Sequence, residues 1–137
     1  MRPSSKEILV AENDSNDLEL TLEALARHQL AGAVITVARD GVEVLDYLYS
    51  RGRFGSRKKE NPAVILLSPM LPKLDGFEVL KQIKADAELR NIPVLVFTSS
   101  SHERELVEKY SLEASGFAVK PVDFQEFVGA VRDLGLF

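Results

Sequence analysis

Ser68 closes the apolar run Ala63-Val64-Ile65-Leu66-Leu67, and three similar runs also close on groups able to do chemistry. Ile8-Leu9-Val10-Ala11 leads into Glu12-Asn13-Asp14, Val94-Leu95-Val96-Phe97 into Thr98-Ser99, and Gly116-Phe117-Ala118-Val119 into Lys120-Pro121. Gathered in one place, these ends supply carboxylates, an amide, hydroxyls and one ammonium. Such a set can hold an anion or a charge pair. Nucleophilic catalysis by Ser68 needs a base to take its proton. His28 and His102 both stand away from the run ends. The chain has no Walker-type glycine loop and no Gly-x-Ser-x-Gly elbow, and Pro69 occupies a place where an oxyanion-hole amide could have been. An enzyme is not expected.

The elements that must position these groups are legible as alternating short and long patterns. A fifth run, Ala33-Val34-Ile35-Thr36-Val37, joins the other four. Their continuous apolar character predicts strands covered on both faces, as in a parallel sheet. Between them, Leu18, Leu22 and Leu25 share a helical face, as do Val42, Leu45 and Leu48, and Phe77, Leu80 and Ile83. Leu106 and Tyr110 mark a fourth helix; Phe124, Phe127, Val131 and Leu134 mark a fifth. Strand then helix, five times over, predicts an α/β fold: a doubly wound five-stranded parallel sheet with helices on both faces, a three-layer αβα domain over residues 1–137. Functional groups in such a sheet collect at the carboxyl ends of the strands, where the four polar clusters fall. Asp14-Ser15-Asn16-Asp17, Asp40-Gly41 and Asp75-Gly76 read as helix openings, and Pro62 and Pro93 as strand entries.

Composition narrows the function classes. The 137 residues carry a formal net charge of −4 and no cysteine, which excludes disulfides and thiolate metal sites and argues against nucleic acid as the main partner. No apolar stretch reaches the ~18 to 20 residues of a membrane span, and the polar start lacks the apolar core of a secretory signal. A cytoplasmic location is expected. Arg51, Arg53, Arg57, Lys58 and Lys59 form a local basic run. Two readings of it stand, a solvated loop and a docking loop for an acidic partner.

Three stretches carry a resemblance over essentially the whole chain: Asp40-Gly41-Val42-Glu43-Val44-Leu45-Asp46-Tyr47-Leu48, Leu71-Pro72-Lys73-Leu74-Asp75-Gly76, and Ile92-Pro93-Val94-Leu95-Val96-Phe97-Thr98-Ser99-Ser100. They resemble the receiver domains of response regulators, CheY-like and flavodoxin-like in fold, and within these the single-domain receivers that partner bacterial and cyanobacterial phytochromes. The resemblance implies that Thr98 is the hydroxyl that contacts a phosphoryl group, Lys120 the lysine that pairs with it, and Phe117 the aromatic switch position. Glu12 matches the first of two acidic residues at the Mg²⁺ site of the family.

Two positions depart from the pattern. Asn13 stands where the family has the second metal-binding acid, and Ser68 where it has the phosphoacceptor aspartate. Hard cations are held mainly by carboxylate, phosphate and water oxygens. No resident metal and no other cofactor is expected, and Glu12 with Lys120 would form a charge-balanced pair among Asn13, Ser68 and Thr98. The expected function is that of a single-domain response regulator in two-component, phosphorelay signalling, acting as a pseudo-receiver through protein binding. The alternative is a phosphorelay receiver phosphorylated at a substitute residue, or one whose acceptor aspartate was replaced. The resemblance implies a sensor histidine kinase or other two-component protein as partner, a phytochrome among them, and a homodimer. Tyr110 and Leu134-Gly135-Leu136-Phe137 are interface candidates. No output domain, nucleic-acid partner or membrane contact is expected.

Overall fold

The computed structural model describes residues 7–27, 34–57, 60–98 and 116–119. Five strands, β1 (Glu7–Ala11), β2 (Val34–Ala38), β3 (Val64–Leu67), β4 (Val94–Thr98) and β5 (Gly116–Val119), alternate with α1 (Ser15–Arg27), α2 (Gly41–Leu48) and α3 (Gly76–Ala85). All pair in parallel in the order β2-β1-β3-β4-β5, one of the two common orders of a doubly wound sheet. The helices expected around Tyr110 and Phe124 lie outside the described residues, as do the Leu134–Phe137 cluster, His28 and His102.

Burial follows strand position. Ile8 to Ala11 in β1 and Val64 to Leu67 in β3 are buried without alternation, because both strands are central and covered on both faces. β2 is an edge, and Val34 and Ile35 are exposed there. One face of the sheet contributes Leu9, Ala11, Ile65, Leu67, Val94 and Val96 to a core closed by α2 and α3. Right-handed crossovers place α1 on the other face, over residues of the opposite parity such as Val10 and Leu66. Leu80 and Ile83 of α3 are fully buried and each contributes about 1.5 to 3 kcal/mol.

Helix starts are built from side-chain caps. Asp14 Oδ1 accepts the Asp17 N–H at 2.9 Å, Asp40 Oδ1 that of Glu43 at 2.8 Å, and Asp75 Oδ1 that of Glu78 at 3.0 Å. The structure corrects one helical face. Val42 is exposed, because Gly41, Val44, Leu45 and Leu48 define the buried arc of α2 and Val42 lies about 120° from its centre at 100° per residue. Phe77 is half-buried at the rim of the α3 arc, whose centre is Gly76, Val79, Leu80 and Ile83. β2 also runs one residue later than expected, ending at Ala38, and Thr98 is the last residue of β4 rather than the first beyond it.

The basic run is only partly solvated. Arg51 pairs with Asp46 at 2.9 Å, and Arg53 with Glu43 at 3.1 Å while donating to the Val37 carbonyl. Arg57 is largely buried. Its guanidinium lies 3.7 Å from the Tyr47 ring centroid, donates to the Tyr47 carbonyl at 3.0 Å and to the Glu60 carbonyl, and pairs with Glu7 at 3.3 Å. These contacts tie the loop after α2 to the amino-terminal end of the sheet. Lys58 and Lys59 lie outside the described residues.

Candidate functional site at the carboxyl edge of the sheet

Strand register decides which residues meet. Ala11 pairs with Leu67, so Glu12 and Ser68 leave adjacent central strands side by side. Leu67 pairs with Val96, and Thr98 with Val119, which carries the same edge across β4 to the end of β5. The chain leaves β1 toward β2 on one side and later returns to β3 on the other, so Glu12 and Ser68 flank the switch point where open α/β sheets form crevices.

Glu12 is the more buried of two carboxylates at this edge among the described residues, with 3% of its surface exposed against 7% for Asp40. Its N–H continues the β1–β2 ladder to the Ala38 carbonyl at 3.0 Å. Its Oε2 turns back to accept the N–H groups of Asn13 at 3.1 Å and Asp14 at 3.2 Å, which compensates part of the cost of burying a carboxylate. Asn13 is exposed, and its carbonyl accepts from Arg39 at 2.7 Å. Arg39 also reaches Ser15, so the β1–α1 turn is braced from the end of β2.

Ser68 is 1% exposed and extends the β1–β3 ladder by donating its N–H to the Ala11 carbonyl at 3.0 Å. The segment beyond it folds tightly onto α3. Gly76 donates to the Pro69 carbonyl at 2.8 Å, and a Cβ at Gly76 would lie 2.3 Å from the Ser68 carbonyl oxygen. Glycine is what lets the start of α3 press on the residue after β3. Next comes a three-residue turn of the γ type: Leu74 N–H donates to the Pro72 carbonyl at 2.7 Å across Lys73, whose φ is 67°. Lys73 Nζ lies 3.5 Å from Asp40 Oδ2, and the Gly41 N–H also reaches the Pro72 carbonyl. A Cβ at Gly41 would lie 1.8 Å from the Leu74 carbonyl oxygen. The loop after β3 is thus held between the starts of α2 and α3.

Of the residues expected at the site, Glu12, Asn13 and Ser68 are brought together here. Thr98 and Phe117 are placed by their strands at the same sheet end and in β5 respectively, with side chains outside the described set, and Lys120 lies outside it altogether. Sequence reading passed over Arg39 and the Asp40–Lys73 pair. Their signal was Arg39-Asp40-Gly41 directly after a strand, which reads as a cap alone.

This edge geometry, strand order and pair of Asp-Gly helix starts match a known pattern: residues 8–132 fit the response regulator receiver domain. The chain belongs to that family. Like other receivers, it is a signalling module. It is similar to the bacteriophytochrome response regulator AtBRR, with 49% identity and a TM-score of 0.91 over 98% of this chain and 96% of that one. The phosphorylated cyanobacterial phytochrome response regulator RcpA shares 32% identity with a TM-score of 0.77, over 94% and 90% of the two chains. Response regulator Rcp1 of Synechocystis is 31% identical over 132 residues, 96% of this receiver and 88% of Rcp1. This receiver is therefore a response regulator of two-component signalling, related to phytochrome response regulators. Among its described residues, no helix is long and apolar enough to cross a membrane.

Proposed function

We propose that this receiver signals by binding protein partners without accepting a phosphoryl group. The observation that carries the reading is the buried Ser68 hydroxyl at the end of β3, where the family resemblance puts the acceptor aspartate. A serine hydroxyl must be deprotonated to attack phosphorus, and the described neighbours supply no histidine to do it. The three nearby carboxylates do not replace it. Asp14 and Asp75 each give an oxygen to a helix cap, and Glu12 is folded back on its own turn. The donor set is also poor for Mg²⁺: Asn13 and Ser68 are neutral, and among the described residues no three acidic or imidazole side chains are placed to hold a metal ion together. In this reading Glu12 and Lys120 form the charge pair of the pocket, with Thr98 as its hydroxyl and Phe117 as a core aromatic at the switch position. The partner is a sensor histidine kinase or another two-component protein in the cytoplasm, and likeness to AtBRR and RcpA points to a phytochrome. Self-association to a homodimer belongs to the same reading, and enzymatic activity does not.

Incubation with Mg²⁺ and acetyl phosphate, followed by intact mass and peptide mapping, tests this. No phosphoryl mass gain is the expected outcome. A stoichiometric adduct on any mapped side chain overturns the reading and supports a relocated acceptor. A companion variant, Asn13→Asp with Ser68→Asp, is expected to restore Mg²⁺ binding measured by calorimetry; failure to do so removes the assignment of these two positions.

A further inference from the structure

Beside Ser68, the loop after β3 and the start of α3 enclose an open groove of about 380 Å³. Its walls are Pro69, Met70, Leu71 and Phe77, and its polar ends are Asn13 and Asp75. The volume lies in the range of pockets that take small organic ligands, and the pattern of apolar walls with few polar groups is theirs too. Charge decides what kind of ligand fits. Asp75 uses Oδ1 for the α3 cap, while Oδ2 takes no hydrogen bond from the described residues. Among the described residues no basic side chain lines the groove, and Lys73, on the same loop, is turned toward Asp40. Met70 is 68% exposed, an unbranched thioether free to pack over an occupant.

We propose that this groove is a binding site for a small amphipathic organic cation, its ammonium group at Asp75 and its apolar body between Pro69, Met70 and Phe77. The site stands apart from the protein-binding reading above and survives its failure. It offers that reading an input, because Gly76 binds the Pro69 carbonyl and packs on the Ser68 carbonyl. A ligand that spreads Pro69 from Phe77 displaces the backbone that carries Ser68.

The probe is phenethylammonium, titrated against the intact protein by NMR beside its neutral isostere 2-phenylethanol and the anion 3-phenylpropionate. Saturable shifts at Asn13, Met70 and Phe77 are expected for the cation, with affinity about threefold or more above the alcohol, as an ion pair to an exposed carboxylate implies. Asp75→Asn keeps a capping side chain and should lose the same factor; Asp75→Ser serves if the first variant is poorly folded. Equal binding of alcohol and cation, an unchanged affinity in the capped variant, or no saturation in the millimolar range overturns the proposal. So do shifts at these residues that depend on protein concentration alone, which would mean that a second copy fills the groove. Saturation by a peptide carrying adjacent Lys and Phe, where phenethylammonium fails, overturns it as well.

Discussion

The two ends of the sheet are stabilised in different ways. At the amino-terminal end, Arg57 joins Glu7, Tyr47 and the Glu60 carbonyl in a largely buried knot that includes a ring-stacked guanidinium, and Phe54 meets Tyr47 edge-on at 5.3 Å. At the carboxyl end, ladder bonds at Glu12 and Ser68 and the close approach of two glycines are joined by side-chain caps and by the exposed contacts of Arg39 and Lys73. A buried side-chain knot locks one end, and backbone proximity with more exposed side-chain contacts shapes the other. Among the described residues, the buried ion-pair knot belongs to the amino-terminal end, while the carboxyl end presents the neutral side chains of Asn13 and Ser68 after the two central strands.

The contrast breaks most readily at the carboxyl end, through the helix starts. Gly76→Ala puts a methyl group 2.3 Å from the Ser68 carbonyl oxygen and 2.7 Å from Pro69 Cα, both backbone atoms that cannot rotate away. Overpacking of this kind costs about 3 kcal/mol. Urea unfolding should show a lower midpoint with an unchanged slope. A loss below about 0.5 kcal/mol would mean that this end is looser than backbone proximity implies.

The amino-terminal knot responds next. Arg57→Ala removes the ion pair to Glu7, two bonds to carbonyls and the stacking on Tyr47, with Glu7 partly solvated and the pair partly screened. Hydrogen bonds by charged groups are worth about 1.5 to 3 kcal/mol, and about 2 kcal/mol is expected after that discount. Arg57→Lys should recover little of it, because an ammonium lacks the planar fork and the stacking face. Full recovery in the lysine variant, again by urea unfolding, would reduce the knot to a simple charge pair.

How much of this was legible in the sequence depends on which end is considered. The five strands, their parallel pairing and the polar residues at their carboxyl ends follow from apolar runs and topology rules, and Asp40 and Asp75 are readable as caps from their neighbours. Helical faces failed at Val42 because an i, i+3 triplet drifts about 60° per step, and three apolar residues do not fix the centre of an arc. Arg57 failed for a different reason. Its surroundings, with Gly52, Gly55, Ser56 and Lys58, have the composition of a solvated loop, and its contacts to Glu7 and Tyr47 are 50 and 10 residues away. The groove beside Met70 was hidden because the path of the loop after β3 includes a left-handed residue, Lys73, that no glycine announces.

The smallest effect isolates the phenol inside the knot. Tyr47 is 1% exposed, and its hydroxyl, although near Arg57 and Glu7, makes no hydrogen bond of normal geometry. Burial raises its pKa above the ordinary value of 10.0, Arg57 opposes the rise and Glu7 adds to it. Tyr47→Phe deletes a desolvated group that returns little, so at neutral pH stability should change by no more than about 0.5 kcal/mol. Alkaline pH separates the two proteins. Below about pH 10 the phenol is protonated in both folded and unfolded chains, and its contribution is constant. As pH rises further, the unfolded chain releases the proton first and is stabilised by doing so, so the parent loses stability up to the raised folded pKa. The phenylalanine variant lacks this loss. Tyr49, whose hydroxyl donates to Asp86, titrates alike in both and cancels from the difference. Urea midpoints of the pair should coincide near pH 7 and diverge in favour of Tyr47→Phe toward about pH 11. Parallel curves across that range would place the Tyr47 phenol in contact with solvent and open the knot that distinguishes this end of the sheet from the other.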